Sequence, residues 1–165
     1  MRLTAGEMAF YMFCIGMSFI NFHATLFIFI IPFFFARIVM MLGNWTQHAF
    51  VDLNNLEDNT INCINTKYNQ ACWNDGYHAV HHVRPALHYT EIPGEFLKNK
   101  EYYVKQKTLT FDGIHYLHIF IWLMTKRYDK LAKHVVNVDN MFANDEEVIA
   151  LMKERTKKYT PPVIA

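Results

Sequence analysis

ATLFIFIIPFFFARIVMML, residues 24–42, is apolar apart from Thr25 and Arg37. A helix rises about 1.5 Å per residue, so these 19 positions reach roughly 28 Å, close to the hydrocarbon thickness of a bilayer. Four aromatic residues (Phe29, Phe33, Phe34, Phe35) fall within seven positions, which a buried helix of a water-soluble protein does not need. The stretch reads as a membrane-spanning helix, with a kink expected at Pro32.

Upstream, MAFYMFCIGMSFI (residues 8–20) contains no charge. It reaches spanning length only from about Leu3, with Glu7 left near a surface. A cleaved leader fits poorly, because the start offers only Arg2 and no small-residue cleavage site precedes a polar sequence. The expectation is a helical hairpin, residues 3–20 and 24–42, turning at Asn21–His23. A re-entrant first segment is the rival reading. Residues 1–42 carry three charges (Arg2, Glu7, Arg37), and residues 43–165 carry the other 28, divided 14 to 14. That shift at Gly43 suggests three regions: a hairpin over 1–42, a region over 43–135, and a C-terminal helix and tail over 136–165. Arg37, Lys67 and Arg84 favour the cytoplasmic side for the chain beyond the hairpin.

A net charge of +1 without a cationic cluster gives no nucleic-acid signal. Cys14, Cys63 and Cys72 are odd in number and lack C-x-x-C spacing, which excludes a disulfide framework and a thiolate zinc site. Cys63 and Cys72 can pair, but a reduced compartment is the simpler reading. Cys14 reads as a small buried hydrophobe.

Beyond Gly43 the elements are short. A helix is expected around Trp45–Asp52, then an extended or looped stretch through Tyr68. A helix over 76–82, capped by Asn74 or Asp75 and ended by Pro85, comes next. A short helix around Gly94–Lys100 succeeds an irregular strap, and residues 112–135 look helical. The apolar part, Ile114–Met124, is too short to span, and with Lys126, Arg127, Lys130 and Lys133 it suits a helix at a membrane surface or packed on the domain. Residues 144–158 form an amphipathic helix, acidic at its start and basic at its end, as the helix dipole favours. The tail at Pro161-Pro162 reads as disordered. The fold class is therefore all-α: a membrane hairpin followed by a cytoplasmic helical cap.

The chemistry is concentrated in Asn74-Asp75-Gly76-Tyr77-His78-Ala79-Val80-His81-His82. On a helix, histidines at i, i+3 and i+4 share one face. Neutral imidazole ligates iron, zinc and copper, so the three suggest half of a metal site. A histidine-rich exposed patch is the alternative. Thirty residues earlier, Asn44 and His48 in GNWTQHAF stand at i and i+4 just after the hairpin.

NWTQHAF and NDGYHAVHH, placed after a hydrophobic hairpin, resemble the C-terminal half of the membrane fatty acid desaturases. The likeness extends over about residues 8–135. It implies a histidine-ligated di-iron centre that uses dioxygen on a fatty acyl lipid. By that resemblance His48, His78, His81 and His82 are iron ligands, and Asn44 approaches iron through water. It further implies an external electron donor, a b-type cytochrome or ferredoxin. It also implies an integral location in an endoplasmic-reticulum-type membrane, with the box facing the cytoplasm. Related hydroxylases use similar boxes. The chain departs from the family pattern in having no H-x-x-x-H or H-x-x-H-H before His48, the only earlier histidine being His23. The expectation is thus the C-terminal portion of a lipid desaturase, incomplete as a single chain. The alternatives are an inactive truncated membrane protein or a lipid hydroxylase of the same superfamily. Two copies completing one site is a further arrangement.

Among the remaining residues, Asp75 and Glu91 are candidates to accept a ligand imidazole's proton, or are simple caps. His88 reads as a structural hydrogen-bonding residue. His115 and His118 read as packing or interfacial residues rather than ligands, and His134 as solvated or capping. Trp45 and Trp73 read as interfacial anchors or walls of the site, and Arg37 as snorkelling to headgroups.

Overall fold

The computed structural model describes residues 2–52 and 60–158. The chain divides into two compact units, Met1–Leu42 and Gly43–Ala165.

The first unit is a pair of apolar limbs. Helix α1 spans Arg2–Thr25 but is broken at Asn21, whose backbone is extended (φ −155°, ψ 99°). Asn21 acts as the N-cap of the second limb: its Oδ1 accepts the Ala24 N–H (3.0 Å), and its carbonyl accepts the Thr25 hydroxyl (2.8 Å). One residue thus makes the turn expected at Asn21–His23. The limbs then pack antiparallel. Phe10 stacks on Phe33 with ring centroids 4.3 Å apart, and Phe13 meets Phe29 edge-on at 5.2 Å. Arg37 lies over the Phe33 ring and donates to Glu7 Oε1. This is the hairpin read from the sequence, and Arg37 takes a partner within it rather than standing alone.

Before Pro32 the helix widens into a π turn, Leu26–Ile30, with the Ile31 N–H bonded five residues back to Leu26 O. Proline has no N–H to donate and crowds the carbonyl four residues earlier, and the wider turn accommodates both. The expected kink takes this form. Helix α2, Ile31–Gln47, then continues through Gly43. The separate helix expected at Trp45–Asp52 is in fact the end of α2: one glycine costs about 1 kcal/mol against alanine and does not by itself stop a helix. Leu3–Gln47 is long and apolar enough to cross a membrane: its most apolar 18-residue window has a mean hydropathy of 2.4, and none of that window is buried.

The second unit is built on a core of Phe50, Ile61, Cys63, Phe111, Ile119 and Leu131, among others. Two three-residue strands run through it, β1 (Asn62–Ile64) and β2 (Thr110–Asp112). They pair in parallel with Asn62 opposite Thr110 and Cys63 opposite Phe111. Four short helices fill the crossover: α3 (Lys67–Ala71), α4 (His78–Val83), α5 (Ile92–Lys98) and α6 (Lys100–Gln106). The structure is predominantly helical, as expected, but the strand pair and α6 were not anticipated. All three cysteines are free, so Cys63 and Cys72 do not pair.

The helix expected over 112–135 is two helices, α7 (Tyr116–Met124) and α8 (Tyr128–Ala132). The break is a Schellman motif with a left-handed Lys126 (φ 56°). The Arg127 N–H reaches Trp122 O (2.7 Å), and the Lys126 N–H reaches Leu123 O (3.0 Å). Helix α7 is apolar on two faces. Tyr116, Ile119 and Leu123 enter the core, while Leu117, Ile121 and Met124 are exposed. The last helix, α9 (Asp145–Arg155), has the charge order expected and is capped by Asn144, whose Oδ1 accepts the Glu147 N–H. The Pro161-Pro162 tail lies outside the described residues.

Candidate metal centre

The histidine box is held by asparagine amides. Asn69, in α3, donates from Nδ2 to Cys63 O (2.8 Å) and accepts the Gly76 N–H at Oδ1 (2.9 Å). The Cys63 N–H in turn donates to Gly76 O (2.7 Å). This three-bond clamp ties the loop before α4 to β1. It requires glycine at 76, because a Cβ there would run into Asn69 Oδ1 and the Cys63 carbonyl closer than real Cβ atoms approach. Trp73 and Asn74 enter the loop in left-handed conformations (φ 47° and 60°).

Helix α4 is capped from outside. Asn62 Oδ1, on β1, accepts the Ala79 N–H (3.1 Å), and its Nδ2 faces Thr110 Oγ1 (3.4 Å). The capping role expected of Asn74 or Asp75 therefore belongs to Asn62, a residue 17 positions from its partner. The long-range cap seats α4 on the strand pair, with His78 buried and His81 and His82 exposed.

His48 lies just past the end of α2, its N–H bonded to Trp45 O (3.2 Å). There it meets the box. His48, His78 and His82 each offer a nitrogen within 4.8 Å of the others. His78 Nε2 and His82 Nε2 are 3.2 Å apart. The His48 ring centroid lies 5.2 Å from that of His78 and 5.0 Å from that of His82. His78 is buried, and burial first, then repulsion from His82, His48 and His81, pushes its pKa down to about 3. His82 is shifted in the same direction, first by burial. Uncharged rings with free lone pairs are what a metal ion needs.

Beneath the trio lies Asp75. Its Oδ2 accepts from Tyr68 OH (2.6 Å) and Gln47 Nε2 (3.0 Å), and its backbone carbonyl accepts from Tyr116 OH (3.1 Å). Asp75 Oδ1 stands 3.9 Å from His78 Nδ1, a buried atom with no hydrogen-bond partner among the described residues. Burial and the bond to Asp75 raise the Tyr68 pKa, so the phenol keeps its proton and remains a donor. An orphaned ring nitrogen aimed at a braced carboxylate is the arrangement that orients a ligating imidazole. The residues present therefore fit a metal ion.

His81 lies outside the trio. Its ring is 5.7 Å from that of His78, and it lines a cavity of about 370 Å³ with Tyr68, Cys72, Trp73, Asp75 and Ile92. Asn44 is exposed on α2, one turn before His48. His115 and His118 are taken up in capping α7. His115 Nδ1 accepts the Leu117 N–H, and His118 Nδ1 accepts the His115 N–H. A neutral ring accepting at Nδ1 carries its proton at Nε2, which leaves no lone pair for a metal. His134 Nδ1 donates to Asp112 O (2.9 Å), and His88 pairs with Thr90 Oγ1 (2.8 Å). Glu91 is the exposed N-cap residue of α5. Trp45 packs edge-on against Phe120, and Trp73 is largely exposed.

Sequence reading missed Gln47, Asn62, Tyr68, Asn69 and Tyr116. Asparagine is frequent over residues 43–77, a composition that suits turns and helix caps; two of these amides, Asn62 and Asn69, brace the box over long range.

No curated protein and no solved structure matches the chain. The sequence model for fatty acid desaturase matches residues 2–113, a range that covers the hairpin, His48 and the entire box. With its histidines gathered in this way downstream of an apolar hairpin, the chain belongs to the fatty acid desaturase family.

Proposed function

We propose that this chain acts as a membrane-bound, desaturase-like lipid oxidase. His48, His78, His81 and His82 are its contribution to a di-iron centre, and Asn44 is a ligand through water. The observation that carries this reading is the meeting of His48 with His78 and His82 across thirty residues of chain. Iron, when bound, supplies the oxidation of an unactivated C–H bond by dioxygen, which no side chain can perform.

The chain's own residues prepare the site. Burial keeps His78 neutral, so its lone pair is available without loss of a proton. Tyr68 and Gln47 hold Asp75 by one oxygen and leave the other facing His78 Nδ1, where it can fix that ring's tautomer. The clamp at Gly76 and the Asn62 cap set the angle at which α4 presents its rings. Four imidazoles are fewer than two irons need, so the reading requires further histidines that are not in this sequence.

The exposed apolar limbs support an integral membrane location and a fatty acyl lipid as substrate, and the outer face of α7 supports a second contact with lipid. The positive residues after the hairpin support a cytoplasmic site in an endoplasmic-reticulum-type membrane. Electrons would come from a b-type cytochrome or ferredoxin. The position of His81 outside the trio favours a second reading, a membrane protein that holds one metal and does not catalyse.

The test is iron per chain in the purified, lipid-reconstituted protein. Bound iron that is lost in His78→Ala and in His48→Ala supports the centre. Equal iron in wild type and His78→Ala overturns it. Loss of iron on His81→Ala separates the di-iron reading from the single-metal one, and acyl-lipid product analysis separates desaturation from hydroxylation.

A further inference from the structure

The outer face of α7 is apolar where it should meet water. Leu117, Ile121 and Met124 stand at i, i+4 and i+7, on one side of the helix, and each is about half exposed. Trp45, also exposed, packs edge-on against Phe120 of the same helix. Trp45 stands on α2 only three positions beyond Leu42, where the apolar unit ends. Tryptophan close to the end of a spanning segment sits at the level of the lipid headgroups. An apolar helix face joined to such an anchor fits the interfacial layer.

Beside this face lies an open cavity of about 390 Å³, lined by Trp45, Met124, Tyr128, Lys126 and Lys157. Lys126 follows the end of α7, and Lys157 follows the end of α9. Neither lysine has an ion-pair partner among the described residues, whereas Lys98, Lys100 and Lys107 are paired with Glu95, Asp139 and Glu147. Arg155 adds a third cation to the lining, with its Nη atoms donating to the Gln106 and Lys107 carbonyls. No carboxylate lines the cavity among the described residues. The site therefore offers positive charge and an apolar wall side by side.

We propose that this cavity holds the headgroup of an anionic phospholipid. Lys126 and Lys157 pair with the phosphate, and the acyl chains run along Ile121 and Met124. The wall formed by Trp45 and Met124 favours a lipid over a soluble anion, which has no apolar part to place there. A zwitterionic lipid carries its own cation beside the phosphate and so gains less from the lysines. The inference rests on the membrane location proposed above and adds to it a lipid class and the residues that select it.

The probes are nitroxide-labelled phosphatidylglycerol and phosphatidylcholine, labelled at the same chain carbon. They are compared at equal, low mole fraction in phosphatidylcholine nanodiscs holding the full chain. The readout is paramagnetic broadening of the Met124 methyl resonance, assigned with Met124→Leu. Met12, on the exposed surface of the first unit, reports general contact with lipid. A lysine near an anionic lipid supplies about a fivefold preference. Met124 should therefore be broadened about fivefold more by phosphatidylglycerol than by phosphatidylcholine, after division by the same ratio at Met12. Lys126→Gln combined with Lys157→Gln should bring the ratio to one while Met124 stays broadened, and the corresponding double arginine variant should keep the preference. Equal ratios at Met124 and Met12 in the wild type would leave only unselective lipid contact and overturn the proposal. Broadening at Met12 without any at Met124 would overturn it alone, leaving the membrane location standing. Absence of broadening at both would overturn the two together. Loss of the preference on adding inorganic phosphate, at ionic strength matched with chloride, would assign the cavity to a soluble anion instead.

Discussion

Replacing Gly76 by alanine should damage the second unit out of proportion to one methyl group. The added Cβ meets two atoms that cannot retreat cheaply. The Cys63 carbonyl is backbone of β1, and Asn69 Oδ1 belongs to an amide held at both ends. To admit the methyl, the loop must lift from β1 and give up the Gly76 and Cys63 N–H bonds, and the Asn69 amide loses its alignment. Each buried group left unpaired costs roughly 1–3 kcal/mol, so two losses with partial relaxation come to about 3–5 kcal/mol. Domains of this size have only about 5–15 kcal/mol to lose. Gly94 provides the control, since nothing lies within 4 Å of a Cβ built there and it sits inside α5. Gly94→Ala should be neutral or stabilising by up to about 1 kcal/mol. Trp45, Trp73 and Trp122 all lie beyond Gly43, so tryptophan fluorescence during urea unfolding in detergent reads the second unit alone. If Gly76→Ala unfolds within about 1 kcal/mol of Gly94→Ala, the clamp does not hold the box as described.

Three further outcomes are expected. Asn62→Ala removes the cap on α4 and should cost about 1–2 kcal/mol in the same unfolding measurement, while the hairpin's helical circular dichroism is retained. Lys126→Gly places glycine at the left-handed end of α7 and should stabilise the second unit by about 0.5–1 kcal/mol; a loss of stability would contradict the Schellman geometry. Arg84 Nη1 holds Glu95 at 2.9 Å across α4 and α5 and, with Asn99, keeps the Glu95 carboxyl below its usual 4.5. A depressed acid stabilises the fold above its unfolded pKa and loses that contribution as pH falls through the folded value. Arg84→Gln should therefore raise the Glu95 pKa, read by carboxyl NMR, and flatten the acid limb of stability below pH 4.5; an unchanged Glu95 titration would rule the pair out as the cause.

What could be read directly from residues was the patterning that one short window contains. A stretch of 19 residues, apolar but for Thr25 and Arg37, with Asn21 and His23 shortly before it, announces a hairpin, and His78, His81 and His82 announce a ligand face. What could not be read depends on partners far along the chain. Strands of three residues, NCI and TFD, are too short to show alternation, and both are largely buried. Asn62 and Asn69 read in sequence only as local turn or cap residues, because their amides act after the box loop folds back on β1. Lys126 ends α7 in a conformation that usually advertises itself by glycine. The box itself was legible as a motif but not in its geometry. Positions i and i+4 on α4 join His48, and the i+3 side chain, His81, falls to one side.

The pairing of β1 with β2 also has a consequence in time. Asn62, which fixes α4, faces Thr110, 48 residues later in the chain. Closing so long a loop costs entropy before any contact repays it, and such non-local pairings slow folding. During synthesis, His48, His78, His81 and His82 all emerge before residues 110–112 exist. The histidines are therefore made early but aligned late. Any metal the nascent chain meets before β2 arrives encounters flexible imidazoles rather than a shaped site, and selective loading belongs to the moment after the crossover has closed.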